Sequence, residues 1–376
     1  MSQVKSQLLR AVEAIPLVEY HMLKTFKAHN FRCFQRIELS DLRRVNIVVG
    51  KNAAGKTALL EAIRLGLAGT PQVLFQMNNA RGFHYYLPQP MTRELFESLW
   101  NLYFYNLDPN NHILTECGDS DGRKATLKIF YDPKKAVTPV YPGQVPPGGL
   151  ISTIIPITFD RTDFSGKHSQ LHGTVHQQGG LNLENGPELG TVSEFYSSSF
   201  QSNPQQTAQW YSQLSIQKRE HEVLEAVMRE YGSLINGLAV LAPTQFPAVY
   251  ADLPHMKEKL PLALVSSGVN KFVTILSALL TRSRGVLLID EIENGLYYET
   301  FEFLWKTLLS LAVTHQTQIF ASTHSIECIR ALLPTLKANE QDFTLLRAER
   351  TEGISIVTPI TGDFFEAALE QQFEVR

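Results

Sequence analysis

The stretch that most constrains the fold is residues 46–64, which read NIVVGKNAAGKTALLEAIR. An apolar run at 47–49 predicts a short buried strand, and residues 50–57 match the pattern G-x-x-x-x-G-K-[ST] at every fixed position. Apolar residues then recur at helical spacing from residue 58 to residue 65. Strand, glycine-bounded loop and helix are the context that this motif requires, so the sequence predicts a phosphate-binding loop.

The residue types of this loop suit a bound phosphate. Backbone N–H groups of the loop and the N-terminus of the following helix favour negative charge at one place. Gly50 and Gly55 let the backbone turn tightly around the phosphate, because neither has a Cβ. Lys56 would reach the β- and γ-phosphates, and the Thr57 hydroxyl would contact Mg²⁺. The predicted ligand-binding residues are Gly50, Lys51, Asn52, Ala53, Ala54, Gly55, Lys56, Thr57 and Ala58.

Composition excludes some classes of protein. The chain has 376 residues and a formal net charge of −3, so it has no global attraction to nucleic acid or acidic membranes. Its three cysteines, Cys33, Cys117 and Cys328, are scattered and suggest neither a disulfide framework nor a zinc site. Residues 5–22 lack the apolar core of a signal peptide, and no apolar run could span a bilayer. We therefore expect a cytoplasmic protein with no membrane partner.

A second strand-to-loop stretch lies at residues 285–298. Four apolar residues at 286–289 precede Asp290 and Glu291, which is a Walker B pattern. A buried parallel strand places the carboxylate that follows it at the carboxyl edge of the sheet, where α/β proteins bind ligands. Asp290 is predicted to hold Mg²⁺, and Glu291 is predicted to polarise the water that attacks the γ-phosphate.

A third such stretch, residues 318–325, ends in Thr-His-Ser. It follows the Walker B segment by one predicted helix at 301–313, which makes a βαβ unit. His324 should therefore lie beside Asp290 and Glu291 at the sheet edge, where it would sense the γ-phosphate.

Between the two halves of the predicted site, residues 265–271 open another helix. Ser266 is a good N-cap, and Gly268 permits a close approach of another backbone. Alone, this segment predicts only a helix start. Before a Walker B strand, it indicates part of the same nucleotide site.

These motifs, in this order, resemble the ATPase head of the ABC class, and more narrowly the RecF, SMC and OLD-like ATPases. The resemblance is strong over 23–66 and 262–332 and rests on NFRCF, GKNAAGKT, SSGxxK, IDEIENGL and FASTHSIE. It implies an α/β fold, namely a P-loop NTPase of ABC type, with an antiparallel β subdomain and a helical and loop insertion between two lobes.

The resemblance also implies that two copies dimerise head to tail around ATP, or form a larger homo-oligomer. Ser266 and Gly268 of one copy would then bind the γ-phosphate held by the other. Asn294 and Gly295 would form the loop that crosses the interface. Arg32 would contact the nucleotide, as the arginine after Asn-Phe does in members of the group.

Some positions depart from the family pattern. Val265, Ser267 and Val269 replace residues of the transporter signature, and Tyr297 stands where many OLD-like proteins have histidine. None of these changes removes an expected phosphate ligand. The glutamine loop of the family has only Gln76 as a weak candidate. The roughly fifty residues after His324 are too few for a TOPRIM nuclease domain, and Asp342 and Asp363 are isolated.

The predicted organisation has four parts: an N-terminal helical extension at 1–22 with a helix at 3–14, an ATPase lobe with the phosphate loop at 23–135, an insertion with a helical subdomain at 136–245, and a second ATPase lobe at 246–376. Residues 76–84 and 136–150 are predicted to be loops, 91–105 and 208–230 helices, and 151–159 a strand. The Gly-, Ser- and Gln-rich residues 165–206 are expected to be loosely packed and outside the core. His168, His172 and His176 are spaced by four in this stretch, but without acidic or cysteine ligands they favour a solvated loop over a metal site.

The leading hypothesis is a Mg²⁺-dependent ATPase that uses ATP as a switch and acts on a separate effector, a nuclease or toxin, in bacterial antiphage defence. The alternative is a RecF-like DNA-repair ATPase, for which Arg282-Ser-Arg284 and Lys257-Glu-Lys259 are thin evidence of a DNA-binding surface. A scaffold that binds ATP without hydrolysing it is disfavoured by Glu291. A transporter ATPase is disfavoured because the insertion does not read as a membrane-coupling subdomain.

Overall fold

Three sheets and a layer of helices make up the fold. The computed structural model describes residues 22–81, 92–138, 153–176, 180–190, 192–196, 204–243 and 245–360. The strands are β1 (Leu23–Phe31), β2 (Phe34–Leu39), β3 (Val45–Val49), β4 (Ile113–Asp119), β5 (Lys124–Tyr131), β6 (Ile157–Thr162), β7 (His168–Val175), β8 (Leu181–Leu183), β9 (Ser193–Tyr196), β10 (Gly237–Leu241), β11 (Ala248–Asp252), β12 (Leu260–Pro261), β13 (Val286–Ile289), β14 (Gln318–Ser322), β15 (Phe343–Thr351) and β16 (Ile354–Ile360). The α-helices are α1 (Lys56–Ala68), α2 (Pro71–Ala80), α3 (Arg93–Asn101), α4 (Pro204–Ile216), α5 (Glu220–Tyr231), α6 (Leu262–Val265), α7 (Ser267–Thr281), α8 (Phe301–Thr314) and α9 (Ile326–Lys337).

The central sheet has the order β16-β15-β3-β14-β13-β9. All neighbours in it are parallel except the hairpin of β15 and β16. Strands β3, β14 and β13 are buried along their whole length. Continuous apolar runs of this kind are what a sheet covered on both faces requires.

Different elements cover the two faces of the central sheet. On one face, α1 and the seven-stranded antiparallel sheet, of order β2-β1-β4-β5-β6-β7-β8, share a core with Val48, Leu288 and Phe320. On the other face, α4, α5 and α7 to α9 share a core with Ile47, Leu287 and others. A small antiparallel sheet, β10-β11-β12, joins this second core. The arrangement is the predicted P-loop ATPase fold with an antiparallel β subdomain.

Several local predictions are wrong or need new bounds. Residues 76–80, predicted to be loop, continue α2 because Met77 and Asn78 are buried. The helix predicted at 91–105 ends at Asn101, and the one predicted at 208–230 is two helices with a break at 217–219. The strand predicted at 151–159 runs instead over Ile157–Thr162.

The largest error concerns residues 165–206, which were expected to be loosely packed. Where the structure describes them, β7 and β8 extend the antiparallel sheet. Strand β9 pairs in parallel with the Walker B strand β13, so part of the expected insertion belongs to the central sheet. The four-part division of the chain stays a prediction.

Some predictions fall outside the described residues, namely the helix at 3–14, most of the Pro- and Gly-rich segment 136–150, and Asp363. Within the described part of the chain, every helix is too short or too polar to cross a membrane.

Candidate nucleotide site

The order of the central sheet brings the predicted motifs to one edge. Strand β14 lies between β3, which precedes the phosphate loop, and β13, which precedes Asp290. Because the three strands are parallel, the segments that follow them leave the sheet at the same end. The loop at 50–57, the acidic segment 290–293 and His324 therefore lie on neighbouring strand ends.

The loop at 50–57 adopts a conformation that needs its two glycines. Gly50 and Gly55 have φ of 146° and 108°, and Ala53 between them has φ of 63°. A Cβ on Gly50 would lie 2.1 Å from the carbonyl oxygen of Ala348, and a Cβ on Gly55 would lie 2.7 Å from the ring of Phe34. The glycines therefore admit the neighbouring β-structure as well as the tight turn.

Lys56 curls back over its own loop. Its Nζ donates hydrogen bonds to the carbonyl oxygens of Gly50 (2.7 Å) and Lys51 (3.1 Å). Burial lowers the pKa of Lys56, while the nearby carboxylates of Asp290, Glu291 and Glu293 act against this shift. A buried ammonium at the mouth of such a loop is suited to a polyphosphate, which would bring the compensating negative charge.

Thr57 and Asp290, the two predicted magnesium ligands, are in direct contact. The Thr57 hydroxyl lies 3.1 and 2.9 Å from the two carboxylate oxygens of Asp290. The Ser322 hydroxyl also donates to Asp290, at 2.6 Å. Burial raises the pKa of Asp290, although both hydroxyl donors oppose the rise. Hydroxyl and carboxylate oxygens are hard donors that suit Mg²⁺ alongside nucleotide phosphates, so this pair fits the ion. No group of three or more His, Cys, Asp and Glu side chains with metal-binding geometry occurs among the described residues.

Glu291, the predicted catalytic carboxylate, has an unusual backbone. Its φ is 47°, in the left-handed region that residues other than glycine rarely adopt. Its N–H donates to the Ser322 hydroxyl at 2.8 Å, and its carboxylate accepts a hydrogen bond from the side chain of Asn294. Because Ser322 contacts both Asp290 and Glu291, it fixes the two acidic residues relative to each other.

His324 contacts Glu293, an acidic residue that the sequence analysis did not assign. Glu293 Oε1 lies 2.8 Å from both the backbone N and the ring Nδ1 of His324. Glu293 is only 7% exposed, whereas the His324 side chain remains 43% exposed. The structure therefore connects His324 to the acidic segment 290–293 through Glu293. The prediction that His324 lies beside Asp290 and Glu291 did not include this residue. The sequence could have pointed to Glu293, because it is the third acidic residue within the four residues that follow the buried strand β13.

The segment that opens α7 begins with the predicted N-cap residue, Ser266. The Ser266 hydroxyl accepts from the N–H of Val269 at 3.3 Å, which is an N-cap. Gly268 faces the loop after the acidic segment, where an added Cβ would lie 2.9 Å from the carbonyl oxygen of Gly295. Two predicted interface segments, one at Ser266–Gly268 and one at Asn294–Gly295, thus touch within one chain.

Arg32 lies at a small cavity. Its Nε is 3.0 Å from the buried carboxylate of Glu61, and its guanidinium lies 4.6 Å from the ring centre of Tyr103. Arg81 also binds Glu61, at 2.8 Å, so two arginines neutralise one acid of α1. Arg32 lines a cavity of about 290 Å³ together with Cys33 and Arg350. That position leaves a nucleotide contact by Arg32 as a prediction.

Three further sequence predictions can be compared with the structure. Gln76 is exposed on α2 and lines a cavity of about 440 Å³ with Tyr196 and Trp210. Arg282, one of the basic residues considered for DNA binding, donates to Glu194 at 2.8 Å. His168 bonds to Asp160, and His172 lies near Thr158 and Lys135, so these histidines of β7 have ordinary sheet-surface partners.

Two family models match the chain. Residues 22–138 match "AAA ATPase domain", and residues 158–330 match "AAA domain, putative AbiEii toxin, Type IV TA system". A curated relative, an "ATP/GTP phosphatase" of Helicobacter pylori (strain ATCC 700392 / 26695), is 25% identical over 363 residues, which cover 86% of this chain and 90% of the relative.

Solved structures of SMC heads are also similar. The SMC head bound to the C-winged helix domain of ScpA has a TM-score of 0.48 at 10% identity. The match covers 92% of this chain and 99% of the SMC head chain. The SMC head domain from Thermotoga maritima has a TM-score of 0.40 at 13% identity, with 90% and 99% covered.

The two matched segments span both halves of the site. The first contains the loop at 50–57, and the second contains Ser266, Asp290 and His324. Together with the strand order and the loop geometry, they identify the chain as an ATPase with a P-loop fold of the ABC type.

Proposed function

We propose that this ATPase is a Mg²⁺-dependent switch that closes as a dimer around ATP and controls a separate effector in bacterial defence against phage. The observation on which the proposal rests is the contact of Thr57 with Asp290, next to Lys56 and Glu291. It joins the two halves of the sequence into one place where a metal-bound triphosphate and a water-orienting carboxylate would meet.

Each residue has a distinct role in this proposal. The backbone of residues 50–58 surrounds the phosphates, and Lys56 moves from the carbonyl oxygens of its loop to the β- and γ-phosphates. Thr57 and Asp290 hold Mg²⁺, which neutralises charge that develops on the phosphates. Glu291 orients the attacking water. His324, held by Glu293, faces the γ-phosphate.

The dimer is supported by the surface around the start of α7. Leu264, two residues before Ser266, is 79% exposed, and Tyr297, next to the Leu296 that lies near Gly268, is 58% exposed. Exposed apolar side chains beside a capped helix N-terminus suit a second copy of the chain that presents its bound ATP. Ser266 and Gly268 would then complete the γ-phosphate site of that copy.

The substrate and the biological role rest on the relatives. The name of the Helicobacter pylori protein supports a nucleoside triphosphate as substrate and makes GTP a second one to test. The description of the family matched by residues 158–330 names a toxin and a toxin–antitoxin system. It supports a role in defence. In our proposal the effector is a separate nuclease or toxin.

Hydrolysis of ATP and GTP by wild type, Lys56→Ala and Glu291→Gln tests the site. Lys56→Ala should lose at least 100-fold in kcat/KM, and EDTA should abolish turnover of the wild type. Glu291→Gln should bind ATP, hydrolyse it slowly and elute as a dimer with ATP but as a monomer without it. Wild-type turnover by Lys56→Ala would show that the site is misassigned.

The role in defence needs a separate test in cells. Bacteria that express the chain with its genomic neighbours should show fewer phage plaques than bacteria that express the Lys56→Ala variant. Equal plaque counts for both would contradict the defence role and leave the ATPase assignment intact.

A further inference from the structure

The backbone of Glu291 is held in its unusual conformation from two sides. Its N–H donates to the Ser322 hydroxyl at 2.8 Å. Its carbonyl oxygen accepts a hydrogen bond from Nζ of Lys271, also at 2.8 Å. With φ of 47°, the residue has left the path of an ordinary strand end, so these two bonds set where its side chain points.

Lys271 is an unusual donor for this purpose. It is only 6% exposed, and its ammonium lies 5.8 Å from the ring centre of Tyr196. Burial lowers the pKa of Lys271 to about 8, against the attraction of Glu293, Glu291 and Asp290. A buried lysine is costly unless its charge is compensated, and here the compensating carboxylates are those of the acidic segment.

Lys271 also belongs to the helix that starts at the predicted interface. Helix α7 is capped by Ser266 and passes Gly268, where an added Cβ would lie 2.9 Å from the carbonyl oxygen of Gly295. One turn further on, Lys271 touches the carbonyl oxygen of Glu291. The same helix therefore contacts both ends of the loop at 291–295.

We infer that Lys271 is a positioning residue: it orients Glu291 for attack on the γ-phosphate and links that orientation to the position of α7. When a second copy presents its ATP to Ser266, a shift of α7 reaches Glu291 through Lys271. This inference rests on the proposed role of Glu291. It explains how the partner's ATP, bound at Ser266 of one chain, would control hydrolysis of the ATP that the same chain holds beside its own Glu291.

Substitution of Lys271 by Met removes the hydrogen bond and the charge but keeps most of the side-chain volume. We expect kcat for ATP to fall about 10- to 100-fold, because a misplaced water-orienting group loses most of its effect. KM and the affinity for a fluorescent ATP analogue should stay within threefold. If Lys271→Met does not fold, Lys271→Gln is measured in its place: its side chain is uncharged and one atom shorter, so kcat should again fall with KM unchanged, and a wild-type kcat would overturn the inference.

A double-mutant cycle separates positioning from a general structural role. If Lys271 acts through Glu291, adding Lys271→Met to Glu291→Gln should lower the residual rate less than twofold. An equal fold-loss in both backgrounds, or wild-type kcat in the folded single variant, overturns the inference.

A matched control and an independent variant complete the test. Lys306→Met is the control, because Lys306 is exposed and pairs with Glu302 one turn away. It should leave kcat unchanged. If Lys56→Ala retains wild-type turnover, the proposed function fails instead, so the two failures are distinguishable.

Discussion

In the phosphate loop, the residue type at a position is determined by the packing of neighbouring protein atoms as much as by the phosphate. Gly50 has φ of 146°, and the carbonyl oxygen of Ala348 occupies the place where its Cβ would be. That oxygen belongs to β15, a central strand, and cannot move away cheaply. The first glycine of the motif therefore joins the loop to the sheet.

The substitution Gly50→Ala should destabilise the protein by about 2–5 kcal/mol, from about 1–2 kcal/mol of backbone strain and about 1–3 kcal/mol of overpacking. Gly122→Ala is the matched control, since Gly122 has φ of 78° with no atom within 4 Å of an added Cβ. It should show only the strain. Urea unfolding measures both, and equal losses would contradict the steric argument.

Elements were predictable from the sequence where their pattern was local. Strands β13 and β14 are short apolar runs that end in polar residues, and such runs are typical of buried parallel strands. Their order along the chain, with one helix between them, was enough to place Asp290 and His324 at one edge. The phosphate loop needed only its own motif.

Elements were missed where their stability comes from distant partners. In α2 the side chain of Asn78 is buried and accepts a hydrogen bond from the Tyr103 hydroxyl at 2.6 Å. Position 173 of β7 is occupied by glycine because a Cβ there would crowd Ile157 and Trp100. Polar and glycine residues in these places reflect packing, whereas composition alone predicts a loop. Strand β9, with four residues at the sheet edge, is too short for alternation to reveal it.

One arginine of the phosphate-loop helix contacts the first residue of β9. Arg64 in α1 donates to the backbone and side-chain oxygens of Ser193 and pairs with Glu188 at 3.1 Å. Its side chain is 12% exposed, so its removal leaves poorly solvated acceptors. The helix after the phosphate loop and the strand beside Walker B are thereby connected.

We expect Arg64→Leu to lower the free energy of unfolding by about 1–3 kcal/mol. Arg93→Leu is the control, because Arg93 pairs with Glu97 on an exposed helix face and should change stability by less than about 0.5 kcal/mol. Chemical denaturation of both variants makes the comparison. Equal effects would mean that Arg64 does not anchor β9.

At the scale of the whole molecule, the two halves of the chain meet at one candidate nucleotide site. Strand β3 comes from the segment matched by the first family model, and it lies between β14 and β15. The two matched segments therefore do not correspond to separate folding units. In the proposed dimer each chain contributes Lys56 to one site and Ser266 to the other.

Mixing two inactive variants tests whether each site is shared between two chains. Lys56→Ala and Ser266→Arg should each be inactive alone, because every site in a symmetric dimer then lacks one group. After mixing, half of the dimers are mixed and have one intact site, so about a quarter of wild-type activity should return. Activity that stays at zero, with mixed dimers present by mass spectrometry, would exclude a shared site.

The central place of β3 has a consequence for synthesis on the ribosome. The side chain of Asn46 donates to the carbonyl oxygen of Ile319, a residue 273 positions later in the chain. At about 5–20 residues per second, roughly 15–55 s pass before that partner emerges. Throughout this interval the apolar segment Val45–Val49 has neither of its neighbouring strands. The nascent chain thus exposes an aggregation-prone segment until β14 and β15 have emerged, and its yield in cells should depend on chaperones that bind emerging apolar segments.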